Sequence, residues 1–87
     1  MKRRLLLDSE VVTLMEGLPV ATRRALWRRF HEIAAAPDRF EDFHERDSHG
    51  RDLTGHVFGG YAILFWDDFA DRHLKILEVV DADDLQS

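Results

Sequence analysis

Apolar positions crowd into three runs near the end of the chain: RDLTGHVF at 51–58, YAILFWDDF at 61–69 and HLKILEVV at 73–80. Gly59-Gly60 and Ala70-Asp71-Arg72 separate them. Runs rich in β-branched, aromatic and leucine residues, broken by short turn signals, predict consecutive antiparallel strands in a meander. Every position from Tyr61 to Trp66 is apolar, so that strand needs cover on both faces and belongs in the middle of the sheet. If helices cover the face of Tyr61, Ile63 and Phe65, alternation turns Ala62, Leu64 and Trp66 toward the other side.

The preceding residues supply that cover. Arg3–Leu7 reads as a first strand. Asp8 and Ser9 offer capping oxygens to a short helix carrying Val11, Val12, Leu14, Met15 and Leu18, which Gly17 and Pro19 end. A second helix spans about Val20–Ala36, with Leu26, Trp27, Phe30, Ile33 and Ala34 as its apolar stripe, until Pro37 stops it. Trp27, Phe30 and Ile33 are therefore expected to pack on Ile63 or Phe65. Arg24, Arg28 and His31 fall on the opposite side, with Glu32 placed to neutralise Arg28 four residues earlier. An extended segment at Phe43–Arg46 leads through the turn at Asp47–Gly50 into the strand at Leu53. The result is a single α+β domain over 1–87: an N-terminal strand, a two-helix antiparallel hairpin and a three- to four-stranded antiparallel sheet in two layers. The DADDLQS tail is expected to fray.

Length and composition narrow the function. Eighty-seven residues with 45% hydrophobic content support one core. The absence of cysteine excludes disulfides, thiolate zinc sites and a cysteine nucleophile. The basic start MKRR precedes only Leu5–Leu7 before Asp8 interrupts, so neither an export signal nor a membrane span is expected, and the expected location is cytoplasmic. The net charge of −5 is split between +3 over residues 1–36 and −8 over 37–87. Nucleic-acid binding depends on phosphate neutralisation, so an acidic chain of pI about 5.4 is a poor general binder of nucleic acid.

Several of these features occur together in a known family. The chain has a first strand, a helical hairpin ending in Ala34-Ala35-Ala36-Pro37, and Arg46-Asp47 followed by Gly50-Arg51. Gly60-Tyr61, the strand AILFW and the final LKILEVVDAD complete the order. In this it resembles, over nearly its whole length, the RelE/ParE superfamily of toxins from bacterial type II toxin–antitoxin (plasmid stabilisation) systems. The resemblance implies a cognate antitoxin that wraps and blocks the toxin. It also implies one of two targets: messenger RNA on the ribosome, cleaved by the RelE-like branch, or DNA gyrase, poisoned by the ParE-like branch without nuclease activity. No cofactor is implied.

Metal-independent RNA cleavage needs a base, an acid and cations for the phosphorane charge. RelE-like nucleases place basic residues on the strand before the glycine-tyrosine step, an arginine directly after that tyrosine, and basic or aromatic residues at the C-terminal end. Here those positions hold Leu53, Gly55 and His56, then Ala62, then Asp81, Ala82, Asp83 and Asp84. These departures favour a ParE-like, non-nuclease toxin acting by protein contact. The alternatives are a RelE-type ribosome-dependent endoribonuclease and a nontoxic binding or dimerising module. Of the five histidines only His56 stands beside the family's cleft, and with Arg51 it forms the sole fragment of a catalytic site. No histidine pair has metal-ligand spacing on a helix, so no metal is expected. The candidate partner-binding residues are Arg24 and Arg28, in the basic cluster of the second helix, with Leu64 and Trp66 on the open sheet face.

Overall fold

Asp8 and Pro37 bracket the helical part of the chain in the computed structural model, which describes residues 3–86. Asp8 caps α1 (Ser9–Glu16), its carboxylate accepting the Glu10 N–H at 3.0 Å. Gly17, Leu18 and Pro19 carry the chain into α2 (Val20–Ala35), and Pro37 opens a 3-10 turn, Pro37–Phe40, that redirects it toward the sheet. The strands are β1 (Arg4–Leu7), β2 (Phe43–Arg46), β3 (Asp52–Phe58), β4 (Tyr61–Asp68) and β5 (His73–Asp81). Their order is β1-β5-β4-β3-β2. β1 joins β5 in parallel and every other pairing is antiparallel. The expected α+β architecture is therefore present, with the N-terminal strand completing a five-stranded sheet.

Two details position everything else. Gly59 and Gly60 both have positive φ, 56° and 84°, as a two-residue primed hairpin turn requires, and this sets Phe58 opposite Tyr61. The β4–β5 ladder contains a bulge: Leu64 pairs with Glu78 but Phe65 pairs with Ile76, leaving Leu77 without an opposite residue. Ile76 and Val79 lie three residues apart and would face opposite sides of a regular strand. With Leu77 bulged, both enter the same core.

That core lies between the helices and one sheet face. Val11 and Met15 from α1 and Leu26, Phe30, Ile33 and Ala34 from α2 meet Ile63 and Phe65 of β4 and Leu74, Ile76 and Val79 of β5. Leu5, Leu7, Leu18, Phe40, Phe58 and Tyr61 close its rim. No helix among the described residues is long and apolar enough to cross a membrane.

Three expectations are corrected. Trp27 is not in the core but 38% exposed, stacked on His31 at 6.2 Å and edge-on to Phe30 at 5.9 Å. It shares a helix meridian with Ala34, seven residues on, at the edge of the buried arc, where a methyl fits and an indole does not. Glu32 pairs with Arg29 at 3.4 Å rather than with Arg28. The tail does not fray after Val80: β5 runs to Asp81, and a 3-10 turn, Ala82–Gln86, follows, tied down by the Ala82 N–H donating to the Gly60 carbonyl at 2.9 Å. Ser87, like Met1 and Lys2, lies outside the described residues.

The fully buried Phe30 and the half-exposed Trp27 should thus differ sharply in energetic weight. Phe30→Ala is expected to cost about 3–5 kcal/mol by cavity formation, and Trp27→Ala about 1 kcal/mol, mainly the lost ring contacts. Urea unfolding of both variants checks this; equal losses would place Trp27 in the core.

Candidate functional site

The sheet face away from the helices is built by alternation. Glu45 and Phe43 from β2, Leu53, Gly55 and Val57 from β3, and Ala62, Leu64 and Trp66 from β4 share it. Phe43 is the ladder partner of Gly55, and Gly55 of Leu64. A Cβ on Gly55 would sit 2.1 Å from the Phe43 ring, so glycine is what lets that ring lie flat on the strand. The ring thereby stands next to Leu64 in the row. Leu64 is only 3% exposed and Ala62 fully buried, so the expected apolar strip is largely covered by the domain itself, and Leu64 offers little to a partner while Phe43 stays in place.

Trp66, two residues along β4 from Leu64 on the same face, remains half-buried between two cations. The Arg51 guanidinium lies 5.3 Å from its ring centroid and the Lys75 ammonium 5.0 Å. Both cations are also held by carboxylates. Arg51 Nε donates to Asp47 at 2.8 Å, and Lys75 lies 3.8 Å from Asp68. Asp47 further accepts the backbone N–H groups of Arg51 and His49, at 2.8 and 2.9 Å. Desolvation pushes its pKa up, but these bonds outweigh it and leave the carboxyl below the usual aspartate range. The turn at 47–51 is thus a closed anion–cation latch beside the indole.

His56 points the other way. It pairs with Ile63 in the ladder and faces the helical layer, between Phe40 at 5.0 Å and Phe58 at 6.5 Å. Its Nδ1 lies 2.8 Å from the Asp42 carboxylate, which also accepts the Val57 N–H at 2.8 Å. The Val57 bond, followed by the His56 bond and the charge of His56 and Arg29, lowers the Asp42 pKa against the opposing effect of burial. Arg29 stacks on Phe58 at 4.4 Å and Phe40 at 5.2 Å. The buried His56 Nε2 and Arg29 Nε have no hydrogen-bond partner; Glu32 is close enough to Arg29 to form an ion pair but not aligned for a hydrogen bond. An Asp–His pair is the usual form of a general base, yet a base must reach its proton, and this Nε2 is enclosed by the protein. The sheet separates His56 from Arg51, so the two do not form one catalytic site.

Arg24 and Arg28 are exposed on the outer face of α2, with no ion pair to either among the described residues. Trp27 lies three residues from Arg24 and next to Arg28, and His31 continues the same stripe. The sequence reading missed Trp27 as a surface residue because helical periodicity alone does not mark where the buried arc stops. Asp68, Asp71 and His73 at the β4–β5 turn bring three potential metal donors within 4.8 Å of one another. Their closeness follows from Asp68 and His73 being ladder partners, and Lys75 already occupies the positive-charge position beside Asp68.

No family model matches the sequence, and no curated protein matches it. Solved structures do match in shape. An archaeal RelE–RelB complex from Pyrococcus horikoshii OT3 aligns at a TM-score of 0.75 with 21% identity, over 93% of this chain and 96% of that chain. The toxin–antitoxin complex RelBE2 of Mycobacterium tuberculosis aligns at 0.75 with 16% identity, over 93% and 99%. A mutant of the E. coli toxin RelE in the free state aligns at 0.74 with 17% identity, over 99% and 90%. The chain thus shares the fold of these RelE structures over most of its length.

The Asp42 carboxylate, bonded to His56 and to the Val57 N–H, gives a pH signature. A carboxyl whose pKa is depressed by folding adds stability above its unfolded value, and this is lost as pH falls through the folded one. Asp42→Asn should therefore lower the melting temperature at neutral pH, with the gap to wild type closing as the solution is acidified through and below the aspartate range. A gap of constant size in thermal melts across that range would mean that the Asp42 charge is immaterial.

Proposed function

We propose that the chain is the toxin of a type II toxin–antitoxin system, acting in the cytoplasm by protein–protein contact and neutralised by a cognate antitoxin. The RelE fold supports the toxin reading, and two of the similar structures are complexes of a toxin with its antitoxin. The observation that carries the non-nuclease part is the composition of the open sheet face. Its centre is Phe43, Leu64 and Ala62, its nearest cations Arg51 and Lys75 are each engaged by a carboxylate and an indole, and its nearest imidazole, His56, is turned into the helical layer. Such a surface offers contact rather than proton transfer. DNA gyrase is the target class that fits a contact poison of this fold. The second reading, a ribosome-dependent RelE-type endoribonuclease, draws on the RelE identity of the similar structures.

The antitoxin contacts fall on two sides of the domain. Trp66 is a half-buried aromatic at the end of the open face, and Arg24 and Arg28 flank Trp27 on α2, so one antitoxin chain must wrap around an edge to reach both. Burying an aromatic anchor dominates interface affinity, whereas rim charges act mainly on association rate.

Expression should arrest growth, and co-expression of a cognate antitoxin should relieve it. The purified protein with ribosomes should leave RNA intact. Trp66→Ala should weaken antitoxin binding about 30-fold, while Arg24→Ala/Arg28→Ala should slow association chiefly at low salt. Ribosome-dependent cleavage would promote the nuclease reading, and absence of growth arrest would leave a nontoxic binding module.

A further inference from the structure

β1 pairs with β5 only from Arg4↔His73 to Leu7↔Ile76, yet β5 continues to Asp81. Beyond Ile76 the outer edge of β5 has no strand beside it among the described residues, so part of the backbone of Leu77–Asp81 faces outward unpaired. A groove of ≈ 220 Å³ runs along this edge, lined by Glu10, Val11 and Leu14 of α1 and by Leu77–Val80. Leu14 on its helical wall is 37% exposed, and the neighbouring Val12 is 40% exposed.

We propose that this edge receives an extended segment of a partner protein, alternating apolar and lysine or arginine side chains, which adds to the sheet as a further strand. The backbone supplies the pairing, as in strand addition generally. Alternation supplies the specificity. Side chains on the helical side of the added strand would meet Val11, Leu14 and Val79, which are apolar. Those on the other side would stand beside Glu78, which pairs with Leu64 and so belongs to the open face. Glu10 lines the groove and Asp81 ends the edge, both exposed, and no basic residue lines the groove. Opposite charge therefore selects a basic segment. The same charges oppose a second copy of this chain, because edge-to-edge pairing would bring two sets of Glu78 and Asp81 together in a molecule of net charge −5. The inference stands on the edge and its charges and is independent of the toxin reading.

The test is titration of the isotope-labelled full chain with an acetylated, amidated Lys-Val-Lys-Val-Lys peptide, followed by amide spectra. Perturbations should centre on 77–81 and on 10–14. A peptide with proline at the central valine should lose most of the effect, and Glu-Val-Glu-Val-Glu should bind about tenfold more weakly or not at all. Glu10→Gln/Glu78→Gln, which touches only exposed groups, should keep a wild-type spectrum and weaken the lysine peptide by about five- to tenfold. No perturbation of those amides at millimolar peptide would overturn the proposal. So would equal binding of the lysine and glutamate peptides, or a concentration-dependent dimer of the chain that uses the same amides.

Discussion

A strand buried on both faces has to be covered twice, and in this chain that strand is β4. Ala62, Ile63, Leu64 and Phe65 are all buried in succession. On one side the cover is orthodox: α1 and α2 lay Val11, Met15, Leu26, Phe30 and Ile33 over Ile63 and Phe65. On the other side no second helical layer exists among the described residues, and cover comes from within the sheet. Gly55 omits a side chain so that Phe43, one strand further out, can lie in its place beside Leu64. A small domain thus closes both faces with one helical layer and one aromatic ring. A one-residue slip of β4 would put Leu64 among the helices and Phe65 under the ring, which fixes the register strongly.

The electrostatics follow from that arrangement. With its centre apolar, the open face has its two nearest cations at one end, where Trp66 holds Arg51 and Lys75 by its two cation contacts and Asp47 and Asp68 complete their neutralisation. Cations already shared between an indole and a carboxylate cannot stabilise developing phosphorane charge without first giving up those partners. The Asp42–His56–Arg29 cluster does comparable work on the other side. It joins the segment after Pro37 to α2 and β3, with aromatic rings of Phe40 and Phe58 between the charges.

Periodicity made the sheet legible in advance: the uninterrupted YAILFW run marks a central strand, and Gly59-Gly60, Pro37 and Asp8 mark its turns and the helix ends. What pattern alone misplaced depended on the third dimension. Trp27 and Ala34 occupy the same side of α2, and only the spacing to the sheet decides that the small residue is buried and the large one exposed. His56 sits on the strand where a catalytic group was sought, but its direction depends on a register that counts from the Gly59-Gly60 turn. Leu64 faces the side anticipated for it, yet its accessibility hangs on Phe43, a residue far off in sequence whose contact with Gly55 no local signal announces. The ion pairs Arg29–Glu32 and Arg51–Asp47 were similarly hidden among several equally spaced alternatives.

The bulge at Leu77 connects the core to the sheet edge. The run Leu74-Lys75-Ile76-Leu77-Glu78-Val79 holds apolar residues at both even and odd positions, so a regular strand would send Ile76 and Val79 to opposite faces. The extra residue resolves the conflict in favour of the core, where both are buried. It also bends the strand and shifts the alternation of its backbone groups by one residue. β1 pairs with β5 up to Ile76, the residue immediately before the bulge, and Asp8, whose N–H still donates to the Ile76 carbonyl at 2.9 Å, then turns the chain into α1. The same irregularity that lets Val79 join the helices thus marks where the chain's own edge strand stops and where β5 is left open.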